Sequence, residues 1–408
     1  MTGAAPAVVA ASAAPVFADL VGQREAVATL MAAAEAAAAI VRGQAPPPGV
    51  MTHAWLFTGP PGSGRSVAAR AFAAALQCAR GGCGECAECR TTLAGTHADV
   101  RSVVPEGLSI SVEEMRSLVL RAGSAPVGGR WQVVLIEDAD RLTEKAGNAL
   151  LKAVEEPSPR TVFLLCTPST HPDDVSVTIR SRCRVVSLRT PNAESIAEML
   201  VRRDGVEPRS AGWAAAASQG HVGRARRLAR DPEARSRREA VLAVPRRLTG
   251  IGACYEAAAA LISATDAESA AAVSHADARE RSEMERALGA GGTGKGAASA
   301  FRGAAGVLRD LERRQRSRAT RAKRDALDRA LVDLAGFYRD VLTVALGANG
   351  VAPVHADAFA DARAAARKWS PESTLRRLEA VLACREAIEL NVKPQIAVEA
   401  MMISLWRG

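Results

Sequence analysis

The chain has 408 residues, too many for one hydrophobic core, so two or three domains are expected. Apolar residues make up 48% but aromatics only 3%; alanine fills the difference, which favours helix. No run of about 18 apolar residues occurs, which argues against a membrane helix, and the formal charge of +9 fits an acidic partner such as nucleic acid without requiring one.

Residues 1–15 are rich in Ala, Pro and Val, lack a basic start, and read as a disordered tail, not a signal peptide. The stretch 17–22 leads into a helix over 23–42 with Val27, Leu30 and Met31 on its buried side, ended by Gly43. A Pro-rich linker over 44–49 precedes a strand at 54–58. Then comes Gly59-Pro-Pro-Gly62-Ser-Gly64-Arg65-Ser66. Glycines at this spacing let backbone N–H groups curl around phosphate oxygens, the following helix N-terminus adds positive potential, and Ser66 is placed to hold Mg²⁺. The alternative is a plain Gly/Pro turn. The lysine usual in such a loop is replaced by Arg65, a planar fork where a compact ammonium is expected. The helix after the loop is expected over 65–77, burying Val67, Phe72 and Leu76.

Cys78, Cys83, Cys86 and Cys89 follow within twelve positions, with Gly81, Gly82 and Gly84 permitting tight turns. Four thiolates at this spacing can close a tetrahedron around a structural Zn²⁺; free thiols or two disulfides are the alternatives. The other four cysteines are scattered, which fits a reducing cytoplasm. His97 is surplus to four cysteines and is expected on the surface.

Ser111-Val-Glu-Glu114 is a capping box for a helix through about 122. Gly128-Gly129 turns into a buried strand at 132–136 that ends in Glu137-Asp138. A Walker B strand ends in Asp-Glu, the first holding Mg²⁺ and the second polarising the attacking water. Here the two carboxylates are exchanged in length, and a misplacement of an ångström can cost about 10²-fold in rate. Thr143 caps a helix through 156, stopped by Pro157; strands follow at 161–166, ending at Thr167, and at 184–188. Strands alternating with helices, with a phosphate loop at a strand's carboxyl end, predict an α/β doubly wound parallel sheet.

Beyond Pro191 the pattern is helical, with helices at 193–203, 211–218 and 222–230 forming a small domain. The polar, Gly/Ala/Ser-rich stretch from 266 reads as a mobile insertion, and the arginine-rich run to 324 as a solvated helix face, with contact to nucleic acid as the lesser alternative. A long apolar helix is expected over 325–346. Another starts at Ser370-Pro371 and buries Leu375, Leu378, Val381 and Leu382. A last one opens at Lys393-Pro394 with Ile396, Ala400 and Met401 inward and Trp406 in the core.

Phe17-x-x-Leu-Val-Gly-Gln23, the phosphate loop, the four-cysteine insertion, Asn148-Ala-Leu-Leu-Lys-x-x-Glu-Glu-Pro157, Ser181-Arg182-Cys183 and Asn391-x-Lys-Pro-Gln395 occur together and in order. The combination resembles the AAA+ subunits of the bacterial sliding-clamp loader, closely over about residues 16–230. The resemblance implies an AAA+ domain over 16–190 with a zinc module at 78–89, a three-helix lid over 191–235 and an all-α collar over 236–408. It implies a nucleotide site at Gly59, Gly62, Gly64, Arg65, Ser66, Glu137, Asp138 and Thr167. It also implies an arginine finger at Arg182 that reaches a neighbouring subunit's ATP. Gly223 stands where the family's motor subunit has its sensor arginine, with Arg224 one residue away. A chain that keeps the trans-acting Arg182 while its own site is degenerate resembles the family's stator subunit, with ATP and Mg²⁺ held weakly or not at all and no intrinsic ATPase. Partners implied are tau/gamma motor and delta subunits in a hetero-pentamer, and through it the sliding clamp and primed DNA, in the cytoplasmic replisome of DNA polymerase III, a nucleotidyltransferase. Two rivals remain: an autonomous tau/gamma-type ATP-hydrolysing motor, and a stand-alone zinc-containing DNA-binding protein.

Overall fold

The computed structural model describes residues 14–105, 109–123, 125–287, 297–348 and 350–408. Most of the expected N-terminal tail therefore lies outside the described residues; Pro15–Phe17 form a 3₁₀ turn. The chain divides into two compact units, residues 14–226 and 227–408.

The first unit is built on five parallel strands, β1 (Ala54–Thr58), β2 (Val100–Val103), β3 (Gln132–Ile136), β4 (Thr161–Thr167) and β5 (Arg184–Ser187), in the order β2-β3-β4-β1-β5. β1, β3 and β4 are buried along their whole length, as the continuous apolar runs require. The registers Leu56↔Leu165 and Ile136↔Leu165 stack one apolar layer on one face of the sheet, and Leu135↔Leu164 stacks another on the opposite face. β2 escapes sequence reading because it is a short edge strand, Val-Arg-Ser-Val, with only its end residues buried.

Helices α1 (Arg24–Val41), α2 (Arg65–Gln77) and α3 (Ala87–Leu93) contribute to the core on one face, and α4 (Val112–Ala122), α5 (Glu144–Glu155) and α6 (Val177–Arg180) to the core on the other. Two expected caps are present: Ser111 Oγ accepts the Glu114 N–H at 3.2 Å, and Thr143 Oγ1 the Ala146 N–H at 3.3 Å. α2 packs through Ala68, Ala69, Phe72 and Leu76, which leaves Val67, expected inside, 41% exposed. α7 (Ala193–Asp204), α8 (Pro208–Ala217) and α9 (Val222–Arg230), of which the residues through Arg226 belong to this unit, form the expected three helices, with Arg226 Nε 2.8 Å from Asp204 Oδ2.

The second unit is helical: α10 (Pro232–Leu242), α11 (Val244–Arg247), α12 (Ile251–Ala287), α13 (Ala297–Ala345), α14 (Phe359–Ala366), α15 (Pro371–Glu389) and α16 (Pro394–Arg407). The stretch read as an insertion is helical over its described residues, in α12 and α13. Polar sequence folds there because the two helices exchange charges. Arg318 meets Glu280 Oε1 and Oε2 at 2.9 and 2.6 Å, and Lys323 meets Asp266 at 2.5 Å. Much of the arginine-rich run is thereby matched by acidic groups within the fold.

The core of this unit gathers Leu327, Leu331, Leu334, Tyr338, Val381, Val398 and Met402. On α15 the buried face is Thr374, Arg377, Val381, Cys384 and Ile388. Leu375 and Leu382 instead lie outside, 44% and 46% exposed, and on α16 Ile396, Ala400 and Trp406 are likewise exposed, against expectation. These helices carry apolar residues on two faces, and periodicity alone does not say which one the fold covers.

Candidate functional site

The phosphate loop leaves the carboxyl end of β1 and enters α2 at Arg65. Gly62 and Gly64 take φ of 84° and 94°, a region that disfavours residues with a Cβ. Gly62 is also required by proximity, since a Cβ there would stand 2.6 Å from Cα of His221, at the entry to α9. The three-helix group thus closes directly on the loop. Gln23, 5% exposed, reaches the loop's other side: its Nε2 donates to the Ser63 carbonyl at 3.4 Å and to the Arg189 carbonyl at 2.6 Å, and its Oε1 accepts the Arg189 N–H at 3.1 Å.

Glu137 follows β3 and is 8% exposed. Its Oε1 accepts from Arg70 Nε at 3.1 Å, from Arg70 Nη2, and from Ser102 Oγ at 3.4 Å. Arg70 stands on α2 one turn beyond Ser66. Sequence reading missed it, because a lone arginine on an alanine-rich helix looks like a solvated charge; its i,i+4 relation to Ser66 was the available signal. Asp138 takes a left-handed φ of 53°. Asp140, two residues on, is pushed above the usual carboxylate range, first by burial and then by Asp138. Thr167 is fully buried and its hydroxyl donates to the Ser169 carbonyl at 2.8 Å.

Arg182 lies apart from these groups, between α6 and β5. Its Nη2 is 2.7 Å from Glu155 Oε1 and its Nη1 donates to the Thr178 carbonyl at 2.9 Å, with the side chain 37% exposed. Gly223 and Arg224 fall on the first turn of α9, and the Arg224 N–H caps onto His221 Nδ1 at 3.2 Å.

The structure gathers the four cysteines. All four Sγ atoms lie within 4.8 Å of one another, with Cys78 to Cys83 at 3.6 Å and Cys78 to Cys86 at 3.8 Å. A tetrahedron of zinc–thiolate bonds of about 2.3 Å has edges of about 3.8 Å, so these residues fit Zn²⁺ or a similar ion. Backbone N–H groups already serve the sulfurs: Arg80 and Cys83 donate to Cys78 Sγ at 3.3 and 3.5 Å, and Cys89 to Cys86 Sγ at 3.4 Å. Backbone hydrogen bonds from Glu85 and Cys86 bring the Cys83 thiol down to about 6, whereas burial drives Cys89 the other way. Four protein ligands would leave no open position, so an ion held there would be structural in kind.

His97 is buried at 8% exposure, not on the surface. Its Nδ1 accepts the Asp99 N–H at 3.0 Å, so Nε2 carries the proton toward Glu88 Oε2, 2.6 Å away. Asp99 accepts N–H groups from Val127 at 2.8 Å, Gly128 at 3.0 Å and Gly129. Burial alone would raise its carboxyl, but these donors hold it below the ordinary value. Gln77 Oε1 takes the next two N–H groups, of Arg130 and Trp131, at 2.9 and 3.2 Å. The cysteine module is thereby laced to the loop that feeds β3.

Residues 45–192 match the protein family described as DNA polymerase III, delta subunit. The chain is 42% identical over 166 residues to DNA polymerase III subunit delta' of Pseudomonas aeruginosa, covering 39% of this chain and 50% of that protein. It is 34% identical over 191 residues to DNA polymerase III subunit gamma/tau of Mycobacterium tuberculosis, covering 46% of this chain and 31% of that protein. The chain thus spans half or less of the length of these curated relatives. A solved gamma subunit-related protein of Thermotoga maritima is similar at 13% identity over 92% of this chain and 99% of that chain, with a TM-score of 0.42.

Proposed function

Over residues 45–192 this chain is a member of the delta-prime/tau-gamma group of DNA polymerase III clamp-loader subunits, and from that premise we propose that it is the delta-prime, or stator, subunit of the loader. It would sit in a ring with tau/gamma motor subunits and delta, and donate Arg182 to the ATP of a neighbour while the ring opens the sliding clamp and places it on primed DNA. The observation that carries this reading is an asymmetry. The carboxylate that would serve the chain's own site, Glu137, is buried and engaged by Arg70. The arginine that would serve a neighbour is on the surface, on a half-exposed glutamate.

An arginine supplied in trans stabilises charge on the transferring phosphoryl group and contributes about 10³-fold or more in rate. Arg65 in place of lysine and the exchanged Glu137-Asp138 pair support a weak or silent cis site. The cysteine module would hold Zn²⁺ as a structural brace. Leu375 and Leu382, exposed seven residues apart on one face of α15, support a collar role in which helices of neighbouring subunits cover them. The test is reconstitution: Arg182→Ala should assemble normally and lose clamp-loading turnover.

The similarity to gamma/tau subunits favours a second reading, an ATP-hydrolysing motor. Steady turnover by the isolated chain, abolished by Ser66→Ala, would establish that reading and displace the first.

A further inference from the structure

A divalent cation beside a phosphate loop is ordinarily shared between a hydroxyl on the first turn of the helix and a carboxylate at the end of another strand of the same sheet. In this chain those groups are Ser66 and Glu137. Glu137 does not fit that role here. One of its oxygens accepts from Arg70 Nε at 3.1 Å, from Arg70 Nη2 and from Ser102 Oγ at 3.4 Å; Glu137 is 8% exposed and the Arg70 side chain 43%. A divalent cation bound there would have to displace a charge-assisted pair and then stand next to the displaced guanidinium.

We propose that Arg70 takes the place of the divalent cation, so that the loop is a site for phosphate groups in metal-free form. The ligand class is an anion with two or more linked phosphates, whether a nucleotide or pyrophosphate. This rests on the reading of residues 59–66 as a phosphate loop and deepens the description of the degenerate cis site. Two further observations point to an anion. Ser63 is 3% exposed, and its hydroxyl, lying 2.6 Å from where a Gly59 Cβ would be, has no hydrogen-bond partner. Arg65 Nη1 is buried and has no acceptor. Both groups can donate, and phosphate oxygens supply acceptors without supplying a proton or needing a metal to approach two cations.

The experiment titrates ATP, and separately pyrophosphate, onto the full zinc-loaded chain by calorimetry, in magnesium-depleted buffer and again with Mg²⁺ in excess. A chelator is avoided because it would strip the cysteine module. The expected result is binding without magnesium, with affinity changed less than about threefold by adding it. Binding of ATP but not pyrophosphate identifies a nucleotide site; equal binding identifies a polyphosphate site; both support the proposal. Arg70→Ala should weaken metal-free binding and make what remains depend on Mg²⁺, and Arg70→Lys should keep it metal-independent. Magnesium tightening the wild type by more than about tenfold overturns the proposal, as does no binding of either probe. Those failures are separable from failure of the stator reading, which is decided by clamp loading with Arg182→Ala.

Discussion

Arg182 Nη2 and Glu155 Oε1 stand 2.7 Å apart, with the two side chains 37% and 43% exposed. The pair joins the two motifs that most clearly mark this chain, Ser181-Arg182-Cys183 and Glu155-Glu156-Pro157. An exposed pair of this kind is worth about 0–1 kcal/mol, so it positions the guanidinium at little cost to its release. Glu155→Gln should therefore leave melting nearly unchanged and alter turnover of the reconstituted ring by no more than about fivefold. A loss as large as that from Arg182→Ala would show that Glu155 itself takes part in the neighbour's site.

Removing the metal should loosen a defined part of the first unit. Cys86 caps α3 through its sulfur, and Val16 N–H reaches the Gly82 carbonyl at 3.2 Å, so the knuckle also holds the N-terminal turn. Metal analysis should give about one zinc per chain, the stoichiometry of a four-thiolate site. Cys89→Ser should lose it and lower the melting temperature, with faster hydrogen exchange over residues 78–97. Full metal content in Cys89→Ser would contradict the four-ligand assignment.

Asp99→Ala should be among the costliest changes away from the phosphate loop. It strips acceptors from the N–H groups of Val127, Gly128 and Gly129 in a site where Asp99 is 2% exposed. Stability should fall by at least about 2 kcal/mol, read by denaturant titration. Gly129→Ala should also destabilise, because a Cβ there would lie 2.7 Å from Asp99 Oδ2 and 2.8 Å from Gln77 Oε1. A wild-type midpoint in either variant contradicts this account of the lacing.

His355 should give the second unit a pH dependence. It is 1% exposed, its Nδ1 faces Arg238 Nη2 at 2.9 Å, and its Nε2 faces the Asp333 carbonyl at 2.9 Å. Because the guanidinium can only donate, Nδ1 accepts and the ring is neutral. Burial, with Arg238 beside it, holds its pKa below 6.5 despite Asp333 and Asp340. The unfolded chain therefore binds the proton first. This contribution is fully present above about pH 6.5 and is lost as pH falls below it, at up to about 1.4 kcal/mol per pH unit. Unfolding titrations from pH 7 to 5 should show that slope in the wild type and a shallower one in His355→Gln; equal slopes would remove His355 as its source.

Much of this architecture is written in the chain, because β1, the glycine loop and the four cysteines each leave a pattern tied to local backbone geometry. What stays hidden depends on partners far away in sequence. Arg70 acquires meaning only when β3 brings Glu137 to it, and His97 becomes buried only because Glu88 and Asp99 take up its two nitrogens. β2 is too short and too polar at its centre to announce a strand. On α15 the buried face contains Arg377, whose Nε donates to the Leu405 carbonyl at 2.8 Å and whose guanidinium lies 4.3 Å from the Trp369 ring. An arginine thus occupies the core while Leu375 and Leu382, expected there, do not.

The most direct measurement of the account is ATP turnover and clamp loading by a ring reconstituted with tau/gamma and delta subunits, comparing the wild-type chain with Arg182→Ala. The stator account predicts intact assembly by size exclusion with DNA-stimulated turnover at the neighbouring site reduced about 10³-fold. Undiminished loading by a fully assembled Arg182→Ala ring would contradict it.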